Sequence, residues 1–88
     1  MSLLVTFADG SGEVLSFEGE NLHCALTRAF APGAPLSFTV DVGAEQPLSL
    51  AGKARASKRQ PDGRFTVHLR LISLRRVQRE ALERALQG

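Results

Sequence analysis

The sequence predicts a small, mainly β domain: a six-stranded antiparallel barrel with one C-terminal α-helix. Three observations point there. Apolar and polar residues alternate with period two in several short runs, most clearly at Leu36, Phe38, Val40 and Val42 and at Phe65, Val67, Leu69 and Leu71. Turn signals rich in Gly and Pro separate these runs. From Leu74 onward the spacing becomes helical, with Leu74, Val77, Ala81, Leu82, Ala85 and Leu86 in phase. A chain of 88 residues, 43% hydrophobic and 23% charged, is compatible with one globular domain over 1–88. Strands are expected over about 3–72 and the helix over about 74–86.

The elements follow in order. Leu3, Val5 and Phe7 alternate up to Asp9-Gly10-Ser11-Gly12, which reads as a tight hairpin turn. Glu13 to Glu18 is the returning strand, with Val14, Leu15 and Phe17 apolar, and Gly19-Glu20-Asn21 turns the chain again. Leu22 to Thr27 is a short strand or an irregular segment carrying His23 and Cys24. Ala31-Pro32-Gly33 is a turn in which the fixed φ of Pro helps. The strand through Leu36–Val42 follows, then a loop over 43–47. Leu48 to Ser57 is the next strand, with Leu48, Leu50, Ala54 and Ala56 expected inward. Lys58 to Gly63 reads as a polar hairpin loop, and the last strand runs through Phe65–Leu71. Ser73 is placed to cap the helix. Arg76 with Glu80, Arg79 with Glu83 and Glu80 with Arg84 have i,i+4 spacing on its outer face.

Charge is uneven. Residues 1–50 hold one basic residue, Arg28, against six acidic ones, whereas residues 51–88 hold ten basic against three acidic. In a small barrel the two halves lie side by side, so mutual neutralisation is the expected outcome. Lys53, Arg55, Lys58, Arg59, Arg64 and Arg70 have the composition of a phosphate-tracking patch, and a barrel carrying them invites comparison with OB-like nucleic-acid binders. Such binders stack bases on outward aromatic rings. Here Phe38 and Phe65 fall in phase with aliphatic residues, which disfavours nucleic acid as a partner and favours a solvated hairpin face.

Catalytic constellations are scarce. His23 and Cys24 are adjacent, so in a strand they point to opposite faces and do not form a nucleophile–base pair. His68 alternates with inward neighbours and faces outward. Two histidines and one cysteine without ligand spacing give no metal site. Gly10-Ser11-Gly12 lacks the strand-to-helix context of a dinucleotide loop. No enzyme is expected. Cys24 has no partner within the chain for a disulfide, no apolar run nears the roughly 18 residues of a membrane span, and the first residues lack a basic, apolar leader. A cytoplasmic protein is expected, monomeric or weakly dimeric through the edge of its N-terminal strand.

The stretch Ser16-Phe17-Glu18-Gly19-Glu20-Asn21-Leu22-His23, the turn Ala31-Pro32-Gly33 and the strand Leu36-Ser37-Phe38-Thr39-Val40 together resemble the PilZ family. Leu50 to Ala54, Gly63 to Val67 and Leu71 to Leu86 resemble the family's later strands and helix, so the likeness spans nearly the whole chain. It implies a six-stranded barrel with a C-terminal helix and a place in bacterial cyclic di-GMP signalling. Family members grip that nucleotide with an Arg-x-x-x-Arg before the first strand and an Asp/Asn-x-Ser-x-x-Gly motif. Here Ser16 stands at the Asp/Asn position, Glu18 at the Ser position and Asn21 at the Gly position. No basic residue precedes Arg28. Two absent charge-assisted contacts, at about 1.5–3 kcal/mol each, remove on the order of a hundredfold or more in affinity. A Glu18 carboxylate about 5 Å from a phosphate adds about 3 kcal/mol of repulsion at an effective dielectric near 20.

The resemblance therefore implies a member that does not take cyclic di-GMP in the usual way and contacts another protein as an adaptor, for example in pilus or motility control. The expected contact surfaces are the helix face with Arg75, Arg76, Arg79, Glu80 and Glu83, and the basic hairpin with Lys58 and Arg59. Arg75 and Arg79 repeat the Arg-x-x-x-Arg spacing on the helix. They define the alternative, a cyclic di-GMP receptor with a rearranged site.

Overall fold

The computed structural model describes residues 3–43 and 45–87. It contains six strands and a helix: β1 (Leu3–Phe7), β2 (Gly10–Glu18), β3 (Asn21–Leu26), β4 (Pro35–Asp41), β5 (Leu48–Arg59), β6 (Phe65–Ile72) and α1 (Arg76–Gln87). All pairings are antiparallel, and β1 pairs with both β2 and β4, closing the barrel in the order β1-β2-β3-β6-β5-β4. Closure leaves β1 no free edge, so the expected pairing of two copies through that edge has no basis in this fold. The expected loop over 43–47 includes Ala44, which lies outside the described residues.

Period-two alternation builds the core. Val5, Val14, Leu22, Cys24, Phe38, Val40, Ala54, Val67, Leu69 and Leu71 point inward and are buried. Leu82 of α1 joins them with no exposed surface, and Leu74, Ala85 and Leu86 pack against the same cluster. The helix is anchored by Gln78 Nε2, which donates to Ser49 O at 3.0 Å, and by Arg79 Nη1, which donates to Gly19 O at 2.7 Å. Phe30 is buried in the same core, its N–H donating to Ser57 Oγ at 3.0 Å while that hydroxyl donates to Phe30 O at 2.8 Å. Phe7 meets Phe30 edge-on at 5.6 Å.

Several local expectations are corrected. Gly10, Ser11 and Gly12 belong to β2 rather than to a turn, because Phe7 pairs directly with Gly10 across the two-residue loop Ala8-Asp9. The Asp-Gly doublet thus straddles the turn and the strand. Ala31-Pro32-Gly33 is a turn, as expected: Gly33 has φ 86° and Ala34 N donates to Ala31 O at 3.0 Å, which is a type II turn with Pro and Gly at its centre. A bulge between Ala54 and Ala56 adds Arg55 to the outer surface and turns Ala56 outward, opposite His68, so Ala56 is exposed and Ser57 takes the inward place. A second bulge, between Val14 and Ser16, leaves Leu15 half exposed instead of in the core. Lys58 and Arg59 lie in β5, not in a loop, since they still pair with Thr66 and Phe65. The helix starts at Arg76 rather than Leu74. Ser73 has φ 53°, so it does not cap the helix, and Gln78 Oε1 instead accepts from Arg75 N at 3.0 Å. Val77 is 75% exposed, because it lies in the first turn, off the barrel face that Leu82 covers.

Candidate functional site

The two bulges flank one row of the barrel wall from opposite sides. In that row Ser16, His23, His68 and Ala56 stand side by side across β2, β3, β6 and β5, all pointing outward. The next outward row is Glu18, Asn21, Arg70 and Lys53. Alternation makes the two rows neighbours on β2, β3 and β6, and on β5 the bulge adds Arg55 between Lys53 and Ala56.

His23 and His68 are direct cross-strand partners, and their rings stack at 4.4 Å between centroids with 20° between planes. Each ring is held by one polar neighbour. Ser16 Oγ and His23 Nδ1 share a hydrogen bond of 3.3 Å. His68 Nε2 lies 3.0 Å from Asn21 Oδ1; a carbonyl oxygen only accepts, so His68 Nε2 carries the proton. Burial holds the His68 pKa below its ordinary value, and the neighbouring His23 and Arg55 charges lower it further. The pair therefore resists becoming doubly cationic.

Ser16, Glu18 and Asn21, the positions on which the sequence resemblance rests, are thus found together. Ser16 and Asn21 are committed to the two histidines, and Glu18 is exposed beside Asn21. The two helix arginines are separated in role. Arg75 is exposed beside a cleft over the outer faces of β1, β4 and β5, lined by Thr6, Ser37, Thr39 and Ser49. Arg79, expected on the solvated face, is half-buried and spent on the Gly19 carbonyl at the β2–β3 turn. Of the three expected i,i+4 ion pairs, Arg76–Glu80 is within 4.0 Å, at 3.2 Å; the other two are not among the ion pairs of the described residues. Lys58 and Arg59 sit at the end of β5 away from Ser49 and the helix, so the two expected contact surfaces do not merge.

The acidic and basic halves meet at Arg64, which reaches Glu13 at 3.5 Å, while Arg28 pairs with Asp9 at 2.6 Å within the acidic half. Neutralisation is incomplete. Lys53, Arg55, Lys58 and Arg70 have no ion pair within 4.0 Å among the described residues. Cys24 is buried on the opposite face from His23, as the alternation predicts, and burial pushes its thiol up to about 12. No group of three or more His, Cys, Asp or Glu side chains is arranged to hold a metal ion among the described residues.

The sequence puts His68 outward and His23 on the opposite face from Cys24, and does not show that the two rings stack. The signal it lacked is the β3–β6 register, which joins residues 45 apart in the chain and is set by the closure of the barrel. No family model matches the sequence, and no curated protein or solved structure matches it. No helix of the described residues is long and apolar enough to cross a membrane.

Proposed function

We propose that this chain is a PilZ-like module that does not take cyclic di-GMP at the usual motif and acts as an adaptor by contacting another protein. The barrel with its C-terminal helix is the architecture the resemblance implies. The observation that carries the rest is the use of the motif positions. Ser16 and Asn21 hydrogen-bond the stacked His23 and His68 instead of standing free for a guanine edge. Glu18 adds an exposed carboxylate that repels phosphate. The contact surface we favour is the outer face of α1, where exposed Val77 lies beside the Arg76–Glu80 pair and Glu83 is exposed further along. An exposed apolar side chain within a charged rim suits a protein contact.

Calorimetric titration with cyclic di-GMP tests this reading. No saturable heat that depends on Ser16 or Asn21 is the expected result, up to about 0.1 mM nucleotide. Low-micromolar binding that is lost in Ser16→Ala and Asn21→Ala would overturn it. Binding lost in Arg75→Ala instead would favour the rearranged site.

A further inference from the structure

We propose that the cleft walled by Lys53, Arg55 and Arg70 is an anion site for a small phosphate-bearing molecule, a polyphosphate or a nucleotide. The inference goes beyond the adaptor reading; its cations share an outward row with Glu18 and Asn21, so variants separate the two: binding lost in Ser16→Ala or Asn21→Ala counts against the adaptor reading, and binding lost in Lys53→Ala or Arg70→Ala but kept in those two belongs to the cleft.

The first observation is the register. Lys53 and Arg70 are direct cross-strand partners on the outer face of β5 and β6. Directly opposed residues have Cβ atoms about 4.5–5.5 Å apart, and like charges so placed destabilise a sheet. The remaining neighbours in the row do not relieve them. Asn21 stands beside Arg70 and Pro35 beside Lys53, and neither cation has a carboxylate within 4.0 Å among the described residues. A fold with no use for this pair gains by replacing one member.

The second observation is the bulge. It inserts Arg55 as an extra residue into the wall of the same cleft, so a third cation is delivered by interrupting the β5–β6 ladder. After burial and the neighbouring His23, the Arg55 charge also lowers the His68 pKa.

The third observation is that the cleft is already built. The Pro32-Gly33 turn forms one side and is tied to β5 by Gly33 N donating to Ala54 O at 2.7 Å and Ala54 N donating to Ala34 O at 2.9 Å. On the other side Ser73, with φ 53°, holds a left-handed backbone that only Gly adopts freely. The cleft is open to solvent on one side, and its volume of about 580 Å³ is within the usual range of small-molecule sites. Three cations face one lining carboxylate, Glu20, so a ligand of two or more negative charges balances the cleft.

A small ligand fits better than a nucleic-acid strand. Phe7, Phe30 and Phe38 are buried, Phe17 and Phe65 pack against the core, and His23 and His68 are stacked on each other, so this wall presents no row of free rings for successive bases.

The test is calorimetric titration with inorganic pyrophosphate, with ADP and with a short single-stranded oligonucleotide, at about 0.1 M salt. Saturable binding of pyrophosphate or ADP is expected. Lys53→Ala and Arg70→Ala should each weaken it at least about tenfold, or about 1.4 kcal/mol. Arg84→Ala, which removes an exposed helix charge, should leave it unchanged. Arg70→Ala should also raise, or leave equal, the urea midpoint of the free protein, which excludes unfolding as the cause of lost binding. Tighter binding of ADP would identify nucleotides as the source of the phosphate, and equal binding would identify the phosphate alone; both support the site. Absence of saturable binding up to about 1 mM would overturn it. So would equal loss in Arg84→Ala, or an oligonucleotide preferred over ADP by orders of magnitude.

Discussion

Gly12→Ala tests the closest backbone approach in the barrel. Gly12 pairs with Leu26 where β2 crosses β3. A Cβ built there lies 2.0 Å from Ala25 O, 2.7 Å from Leu26 Cδ2 and 2.9 Å from Leu26 Cα. Non-bonded heavy atoms prefer about 3.5–4.0 Å, so the strands must part by about 1 Å or more. That is a large fraction of their tolerance at a spacing of about 4.8 Å. Losing about two ladder hydrogen bonds at about 1 kcal/mol each, with about 1–3 kcal/mol of overpacking, gives about 3–5 kcal/mol. Gly33→Ala is the control: its Cβ meets nothing within 4 Å, and only the φ of 86° opposes it. The left-handed backbone costs about 1–2 kcal/mol. Urea denaturation of both variants measures the difference. A Gly12→Ala cost equal to or below that of Gly33→Ala would refute the close β2–β3 approach and restore Gly10-Ser11-Gly12 to a turn.

Three further outcomes are expected. Leu82→Ala should cost about 3–5 kcal/mol in the same assay, because it empties a fully buried site beneath α1; a cost under about 1 kcal/mol would mean the helix does not seal the core. Cys24 should react with a thiol reagent about a thousandfold or more slower than a free thiol, since the buried group must wait for opening, and fast native-state labelling would contradict its place in the core. Stability should fall as the solution is acidified. The folded pKa of His68 is depressed, so its contribution is present above its ordinary value of 6.5 and is lost as pH drops through the folded value. His68→Gln should flatten that slope in chemical denaturation measured between about pH 8 and 5, and an unchanged slope would count against the stacked pair.

The sequence shows some of this plainly and hides the rest for identifiable reasons. β4 and β6 are legible because Leu36–Val40 and Phe65–Leu71 alternate without interruption, and one buried face enforces that pattern. The bulges are not legible. Leu15 and Ala56 are apolar and in plausible phase, and only the pairing of β2 with β3 and of β5 with β6 reveals the extra residue. Gly12 was open to misreading for a related reason: glycine signals a turn and a close approach equally well, and the approaching atoms belong to β3. Val77 has helical spacing to Leu74 and Ala81, yet it lies about 140° around α1 from Leu82, off the face that covers the barrel. At the candidate site, the outward direction of His23, His68, Lys53 and Arg70 follows from alternation. Their meeting follows from closure, which is a property of the whole chain.

Side-chain ¹⁵N–¹H correlation spectra of His23 and His68, recorded with and without cyclic di-GMP, test the central claim most directly. At about pH 8 the neutral His68 ring should carry its proton on Nε2, as its bond to Asn21 requires, and neither ring's signals should move on adding the nucleotide. A proton on His68 Nδ1, or signals of either ring that shift saturably with cyclic di-GMP, would contradict the account in which Ser16 and Asn21 are already committed to the histidine pair.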